Sequence, residues 1–379
     1  RFDAGQVIKS PPIYQNLKVS SENTQAMSIP NYNMAYSSND TRLYSKVIEK
    51  GRLVWLDTPP EFPESQKIKE YLNIDHLYGN VFKFLSGFSH SSIAMWPKGK
   101  KYSATISQDT EDQYENSVKL IEELNKSEIP FTWFIISDVA QKHRRLTKEM
   151  MSTGEIACHG DTHDKFSGLP LKDQVERVAR CKKVLKELTG KEVIGFRPPY
   201  EEYDENTFST MPNISNQYIF TETAPETMVP KVLISSDEEN KRTLISINRS
   251  NSDDFEMWST RKLDFRRSKK LIEREIEWIK KIGGSYNMNF HTQNIGSEEN
   301  FDLIVHLIRT LKTDNEVSLS TISDLAEWWN TRHKLLLGQV IPDNLIQKYR
   351  PTIVTLKNDG SLEKTPVKEA GNSDSQTQL

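Results

Sequence analysis

Two histidines four residues apart, His159 and His163 in Cys158-His159-Gly160-Asp161-Thr162-His163, follow directly on the short run Glu155-Ile156-Ala157-Cys158. Neutral imidazole nitrogens suit zinc and related divalent ions, and two of them close together on the backbone can fill adjacent corners of a tetrahedral or octahedral site. Such a pair alone is as readily a surface or helix-face coincidence. What decides is whether carboxylates and proton-transfer groups converge on it from elsewhere in the chain.

Three carboxylates, Asp109, Glu111 and Asp112, fall within Ser107-Gln108-Asp109-Thr110-Glu111-Asp112, just beyond an apolar run. Capping of a helix that starts near Gln113 accounts for one or two of them. A metal shared with His159 and His163 accounts for another and leaves one free as a general base. Phe196-Arg197-Pro198-Pro199-Tyr200 puts a guanidinium after a strand and follows it with a rigid Pro-Pro turn that holds Tyr200 and its backbone N–H in place. Phe290-His291-Thr292 puts a single histidine after a late strand. Singly, Arg197 reads as an ion-pair residue and His291 as a structural one. Together, Asp109, His159, Arg197 and His291 fall at the ends of four strands, where βα barrels build their active sites.

The elements that must position these residues alternate short β-rich runs with amphipathic helices from about residue 100, the pattern of successive βα units. Strands are expected over Lys101 to Ser107, Pro130 to Ile136, Glu155 to Cys158, Val193 to Arg197, Thr243 to Asn248, Ser285 to Phe290 and Glu316 to Ser320. In Leu171 to Thr189, Val178, Cys181, Leu185 and Leu188 recur at helical steps before Gly190, and Lys269 to Ile282 ends at Gly283-Gly284. The fold class is α/β, a distorted (β/α) barrel of about seven strands over residues 93–337, preceded by part of a separate α/β unit over 1–92. In that first unit a turn at Gly51 leads into a strand through Leu56, a Pro-rich turn spans Thr58 to Pro63, and Ser65 to Leu72 reads as a helix. Residues 338–379 read as a linker or the start of a further β module, with a strand to Leu356, a turn at Asn358-Asp359-Gly360 and a polar, partly disordered remainder.

The 379 residues suffice for two to three domains of ~100–200 residues or one large barrel with attachments. With 36% hydrophobic and 27% charged residues the composition is that of a soluble globular protein, and no apolar run approaches the ~20 residues of a membrane span. A net charge of -3 gives no basic face for nucleic acid or an anionic membrane. The clusters Lys142 to Arg145 and Arg266 to Lys270 read as solvated helix faces. Cys158 and Cys181 are the only cysteines, both read as small core residues, so no disulfide framework or compartment follows. Starting at Arg1 without a signal pattern, the sequence reads as an excerpt of a longer chain.

From Trp96 to Trp329 the chain resembles the polysaccharide deacetylases of carbohydrate esterase family 4, the NodB homology domain. The family's Thr-Phe-Asp-Asp motif is similar to Ser107 to Asp112, its His-Ser/Thr-x-x-His motif to His159 to His163, and its Arg-x-Pro-Tyr motif to Arg197-Pro198-Pro199-Tyr200. Met288-Asn289-Phe290-His291 resembles the closing Leu-x-His motif, and Ser320 to Trp329 the last strand and helix. The resemblance implies a divalent metal, zinc first with cobalt, nickel or manganese as alternatives, held by His159, His163 and one carboxylate. It implies Asp109 as base, Arg197 as the residue that orients it, the Tyr200 N–H as an oxyanion donor and His291 as the acid. A water on the metal would attack the acetamide carbonyl of an amino sugar. Asp253-Asp254-Phe255 with Trp258 nearby resembles loosely the family's fourth motif, an Asp next to an aromatic that tunes the catalytic His, and Asp254 and Trp258 are the candidate substrate-binding residues.

The departures bear on the site. Thr110 stands where the second aspartate follows the base, so the metal carboxylate is Glu111 by strand parity or Asp112 by residue type. Gly160 stands where Ser or Thr is common. Asn289 replaces an apolar residue and could change the pocket for the acetyl methyl. The expected activity is a metal-dependent hydrolase removing N-acetyl groups from a polysaccharide or oligosaccharide, extracellular or in a bacterial envelope or periplasm. The alternatives are a deacylase on another N- or O-acyl substrate and a non-catalytic carbohydrate-binding barrel. Fold resemblance alone decides none of these.

Overall fold

The computed structural model describes residues 17–21, 24–29, 43–48, 51–56, 85, 90–213, 217–221, 229–234, 243–357 and 362–368. The chain divides into two compact units, one of Arg1–Tyr102, Trp278–Gly284 and Thr331–Leu379, the other of Ser103–Glu277 and Ser285–Asn330. The first holds two antiparallel hairpins, β1 (Leu17–Ser21) with β2 (Thr24–Ile29) and β3 (Leu43–Ile48) with β4 (Gly51–Leu56). It also holds a three-stranded antiparallel sheet in which β15 (Thr352–Leu356) lies between β5 (His90–Ile93) and β16 (Leu362–Pro366). Gly51, expected in a turn, opens β4 instead. The Pro-rich turn, the helix expected over Ser65 to Leu72 and the turn at Asn358 lie outside the described residues.

The other unit is built on a curled, mainly parallel sheet, the distorted (β/α) barrel that the alternating pattern predicts. Its strands are β6 (Tyr102–Thr110), β7 (Thr132–Ile135), β8 (Glu155–Cys158), β9 (Gly195–Phe196), β10 (Tyr218–Thr221), β11 (Lys231–Ile234), β12 (Thr243–Asn248), β13 (Ser285–His291) and β14 (Val317–Leu319). They pair in the order β11-β12-β10-β9-β8-β7-β6-β13, with β14 also on β6. All pairs from β12 to β13 are parallel, and β11 alone along this path runs antiparallel, on its edge. The short β10 and β11 were not foreseen, since four-residue runs without a flanking helical pattern carry little periodicity.

Nine helices stand among the described residues: α1 (Ser117–Ser127), α2 (Ser137–Lys142), α3 (Arg144–Thr153), α4 (Leu171–Thr189), α5 (Glu205–Asn213), α6 (Phe265–Ile282), α7 (Glu298–Thr313), α8 (Ile322–Leu336) and α9 (Asp343–Tyr349). α4 buries Val178, Cys181, Leu185 and Leu188 and closes at Gly190, as its spacing predicts. No helix among the described residues is long and apolar enough to cross a membrane.

Three local expectations are corrected. β6 continues to Thr110 rather than stopping near Ser107, because β13 and β7 supply ladder partners out to Asp109 and Thr110. The acidic run does not cap a helix: α1 begins at Ser117 behind Asn116, with no acid in its first turn, and the Asn116 amide donates to the Thr292 carbonyl instead. Cys158 and Cys181 are joined in a disulfide with Cα atoms 6.2 Å apart, tying the end of β8 to α4. Both positions are apolar in pattern, so spacing alone does not announce the bond.

Two details set the shape of the sheet. A Cβ on Gly195 would fall 1.9 Å from the Tyr218 ring, so glycine is what lets β9 and β10 pair there. On one face of the β6 and β13 pair the matched residues are all polar: Ser103 with Ser285, Thr105 with Asn287, Ser107 with Asn289, and Asp109 with His291. These residues are buried apart from the partly exposed His291, and Thr105 and Ser107 donate to the Asn287 and Asn289 side-chain carbonyls at 3.0 and 2.7 Å.

Candidate active site

β6 presents Asp109, and Glu111 follows two residues on with the same facing, as the two-residue period of a strand requires. Glu111 Oε1 lies 3.1 Å from His159 Nε2 and 2.8 Å from His163 Nε2. The three donor atoms are within 4.8 Å of one another. Asp112, the alternative carboxylate, is exposed and outside this group. Glu111 is held at its back, where Gln293 Nε2 donates to Oε2 at 2.9 Å and the Glu111 N–H donates to Thr292 Oγ1 at 3.1 Å.

The donor set fits a divalent ion. His159 Nδ1 lies 2.9 Å from the Arg197 carbonyl, a contact that puts the proton on Nδ1 and leaves Nε2 free as a ligand. His163 Nε2, although close to Glu111, is a buried atom without an aligned hydrogen bond. Two imidazole nitrogens and one carboxylate oxygen with room for further ligands are what zinc takes in hydrolytic sites. Burial alone would raise the Glu111 carboxyl, but in the metal-free protein the adjoining His159 and His163 rings hold it well below the usual carboxylate range. Burial pushes His163 down, and Glu111 outweighs it and raises it. Gly160, between the two histidines, has φ +98° and sits against the Thr162 carbonyl, so a side chain there would be strained.

Beside this group stand the two proton-transfer candidates. Asp109 Oδ2 accepts from Arg197 Nε at 2.7 Å and lies 3.4 Å from His291 Nε2, while its buried Oδ1 has no hydrogen-bond partner. His291 closes β13, and both Asp254 oxygens hold it: Oδ2 accepts from the His291 N–H at 2.6 Å and Oδ1 lies 2.7 Å from Nδ1. Burial lowers the His291 pKa, but the Asp254 charge overrides it and raises it to about 10. Arg197 is buried against the Phe220 ring, 4.9 Å from its centroid. Tyr200, 58% exposed, has φ +59° and packs at a tilt against His163 with centroids 4.2 Å apart.

Asp254 is thus buried behind His291. Trp258 is turned elsewhere: its indole donates to Ser268 and its ring lies 6.5 Å from that of Phe290. The exposed aromatic beside His291 is Phe255, with centroids 6.3 Å apart. Asn289 is buried, bonded to Ser107, and its Nδ2 has no partner.

Sequence reasoning missed four further residues. Gln293 and Thr292 grip Glu111, and only their place directly after His291 hinted at it. Glu201 and Arg249 form a second charged layer: Glu201 Oε1 accepts from Arg197 Nη2 at 2.8 Å and Arg249 Nε at 2.7 Å, and Oε2 from Arg249 Nη2 at 3.0 Å. Burial would raise Glu201, yet Arg197 and Arg249 bring it down to about 2. Arg249 Nη1 continues to Asp253 Oδ2 at 2.9 Å. Burial, which the Asp254 charge reinforces and Arg249 only partly offsets, raises Asp253 to about 6.

Residues 98–219, from before β6 to within β10, match the family model described as Polysaccharide deacetylase. A peptidoglycan deacetylase-like protein of Gibberella zeae is 33% identical over 81 residues, 21% of this chain and 24% of the relative, so the match spans about a quarter of that protein's length. The crystal structure of a polysaccharide deacetylase homologue from Mycobacterium smegmatis superposes with TM-score 0.58 at 18% identity, over 66% of this chain and 97% of the other. One from Pseudomonas aeruginosa gives TM-score 0.57 at 15% identity, over 63% and 94%. At these identities the structures speak for the fold, and the segment that carries Asp109, Glu111, His159, His163 and Arg197 is the part of the chain that matches the polysaccharide deacetylase family model.

Proposed function

We propose that this chain is a divalent-metal hydrolase that removes N-acetyl groups from amino sugars of a polysaccharide. One observation carries the reading: a His-His-carboxylate donor set stands directly beside an aspartate backed by Arg197 and a histidine backed by Asp254. Glu111, His159 and His163 would hold the ion, with zinc the best match to the donors. When bound, such an ion acidifies a water and polarises the acyl carbonyl.

The chain's own residues supply the rest. Asp109 takes a proton from the attacking water at Oδ1, the oxygen left free when Arg197 claims Oδ2. His291, kept protonated by Asp254, gives a proton to the departing amine. The Tyr200 N–H stands ready for the oxyanion. This substrate class implies an extracellular or cell-envelope site of action.

The test is acetate release by metal-loaded protein from chitin oligomers, peptidoglycan and poly-N-acetylglucosamine, with loss of activity on chelation. Absence of acetate from all three removes the substrate claim. A deacylase acting on a different acyl group is favoured by Asn289, whose unpartnered Nδ2 lies two residues before His291 on the same strand face and would greet a polar acyl chain. Comparing release of acetyl and hydroxyacetyl groups from matched substrates separates the two readings.

A further inference from the structure

Tyr200 and Glu201 are consecutive non-glycine residues in the left-handed region, with φ +59° and +56°. L-residues are disfavoured there, and such backbone persists only where its surroundings over-determine it. Here the holding force is visible. The Glu201 carboxylate is shared between two guanidiniums, with one hydrogen bond to Arg197 and two to Arg249. Side-chain exposure is 20% for Glu201, 14% for Arg249 and 2% for Arg197, so water competes little for these contacts.

The same carboxylate lies between two cations that would otherwise repel across a buried space; the Arg197 charge acts against that of Arg249. On its far side Arg249 reaches Asp253, whose Oδ1 accepts from the Glu256 N–H at 2.8 Å and so anchors the turn that carries Asp254. Charges alternate from Asp109 through Arg197, Glu201 and Arg249 to Asp253, and the backbone then leads to Asp254, which pairs with His291 and so closes the path back to Asp109. One arm of the path holds the base and the other holds the acid.

We propose that Glu201 is a positioning residue: by tying Arg249 to Arg197 it fixes the guanidinium on Asp109 and the left-handed backbone that aims the Tyr200 N–H. The consequence for turnover rests on the deacetylase reading above, whereas the clamp itself does not. Glu201→Gln keeps the shape and removes the charge; Arg249→Lys keeps the charge and removes the paired donors.

The test uses the full chain. In zinc-loaded protein both variants should lower kcat about 10- to 100-fold with KM and zinc affinity near those of the parent, and the double variant should be no worse than the poorer single one. A general loss of folding would instead move KM, metal affinity and melting together. Independently of turnover, hydrogen exchange reads the amides of Glu201 and Glu202, which donate to the Pro198 and Pro199 carbonyls at 3.2 and 3.1 Å. Their exchange should accelerate about tenfold or more in either variant, with that of β8 unchanged. Exchange at parental rates in both variants overturns the clamp, and accelerated exchange with unchanged kcat in an acetate-releasing parent overturns the positioning role. A parent that releases no acetate while its variants exchange faster overturns the deacetylase reading and leaves the clamp standing.

Discussion

Asp109 and His291 are register partners in the parallel pairing of β6 with β13, and Asp109 Oδ2 stands 3.4 Å from His291 Nε2. Their nearness is therefore set by the backbone ladder, while their different characters come from what lies behind each. Arg197 backs the carboxylate and Asp254 backs the imidazole. A carboxylate backed by a guanidinium beside an imidazole backed by a carboxylate is a pairing that acid-base catalysis can use.

Facing and burial favour Glu111 over Asp112 as the carboxylate that a metal would take. Glu111→Gln should weaken zinc binding by at least about 100-fold, whereas Asp112→Asn should leave it within about two-fold. Competition with a chromogenic chelator measures both, and a larger effect at Asp112 would reverse the assignment.

Asp109→Asn should bind the metal as the parent does and lose roughly 10²- to 10⁴-fold in kcat, the usual worth of a general base. Metal content and acetate release on the same preparation check this. Equal loss of metal and turnover would make Asp109 a ligand rather than a base, since it too lies within reach of Glu111 and His291.

In metal-free protein the His291 pKa, against the opposing effect of burial, is raised by Asp254 from 6.5 to about 10. A raised folded-state value means that this pair stabilises fully below pH 6.5, and that its contribution is lost as pH rises through about 10. Urea unfolding at pH 6 and pH 10 should show a larger drop for the parent than for Asp254→Asn. Parallel slopes would remove the pair as the cause.

Glu155 lies at the opposite end of β8 from the histidines. Its carboxylate accepts from Tyr218 OH at 2.7 Å, Thr132 Oγ1 at 2.9 Å and the Ser323 N–H at 2.9 Å, the last in the first turn of α8. Glu155→Ala should cost about 3 kcal/mol by leaving buried donors unpaired, with metal affinity unchanged. Thermal unfolding with and without zinc distinguishes this from damage at the site.

The sequence made much of this readable, for reasons that can be named. Strand ends carrying Asp109, His159, Arg197 and His291 stood out because polar residues of those types rarely follow apolar runs together, and a barrel gathers strand ends. The choice between Glu111 and Asp112 needed the observed continuation of β6 through Thr110, which put Glu111 on the face of Asp109. Glu201 and Arg249 are 48 residues apart and meet only because β9 and β12 both flank β10. The bond between Cys158 and Cys181 was hidden for the same reason: each residue fits an apolar pattern by itself.

The polar column between β6 and β13 bears on any attempt to make this barrel withstand heat. Filling a barrel with aliphatic side chains is the ordinary recipe for such hardening, and each Ser, Thr or Asn pair would look like a vacancy to be improved. Those pairs, however, reward only one alignment of the two strands: a slip by one residue would bring Met288 and Phe290 to the inner face and carry His291 out of line with Asp109. A hardened variant with that column replaced would have lost the ruler that sets the distance between Asp109 and His291.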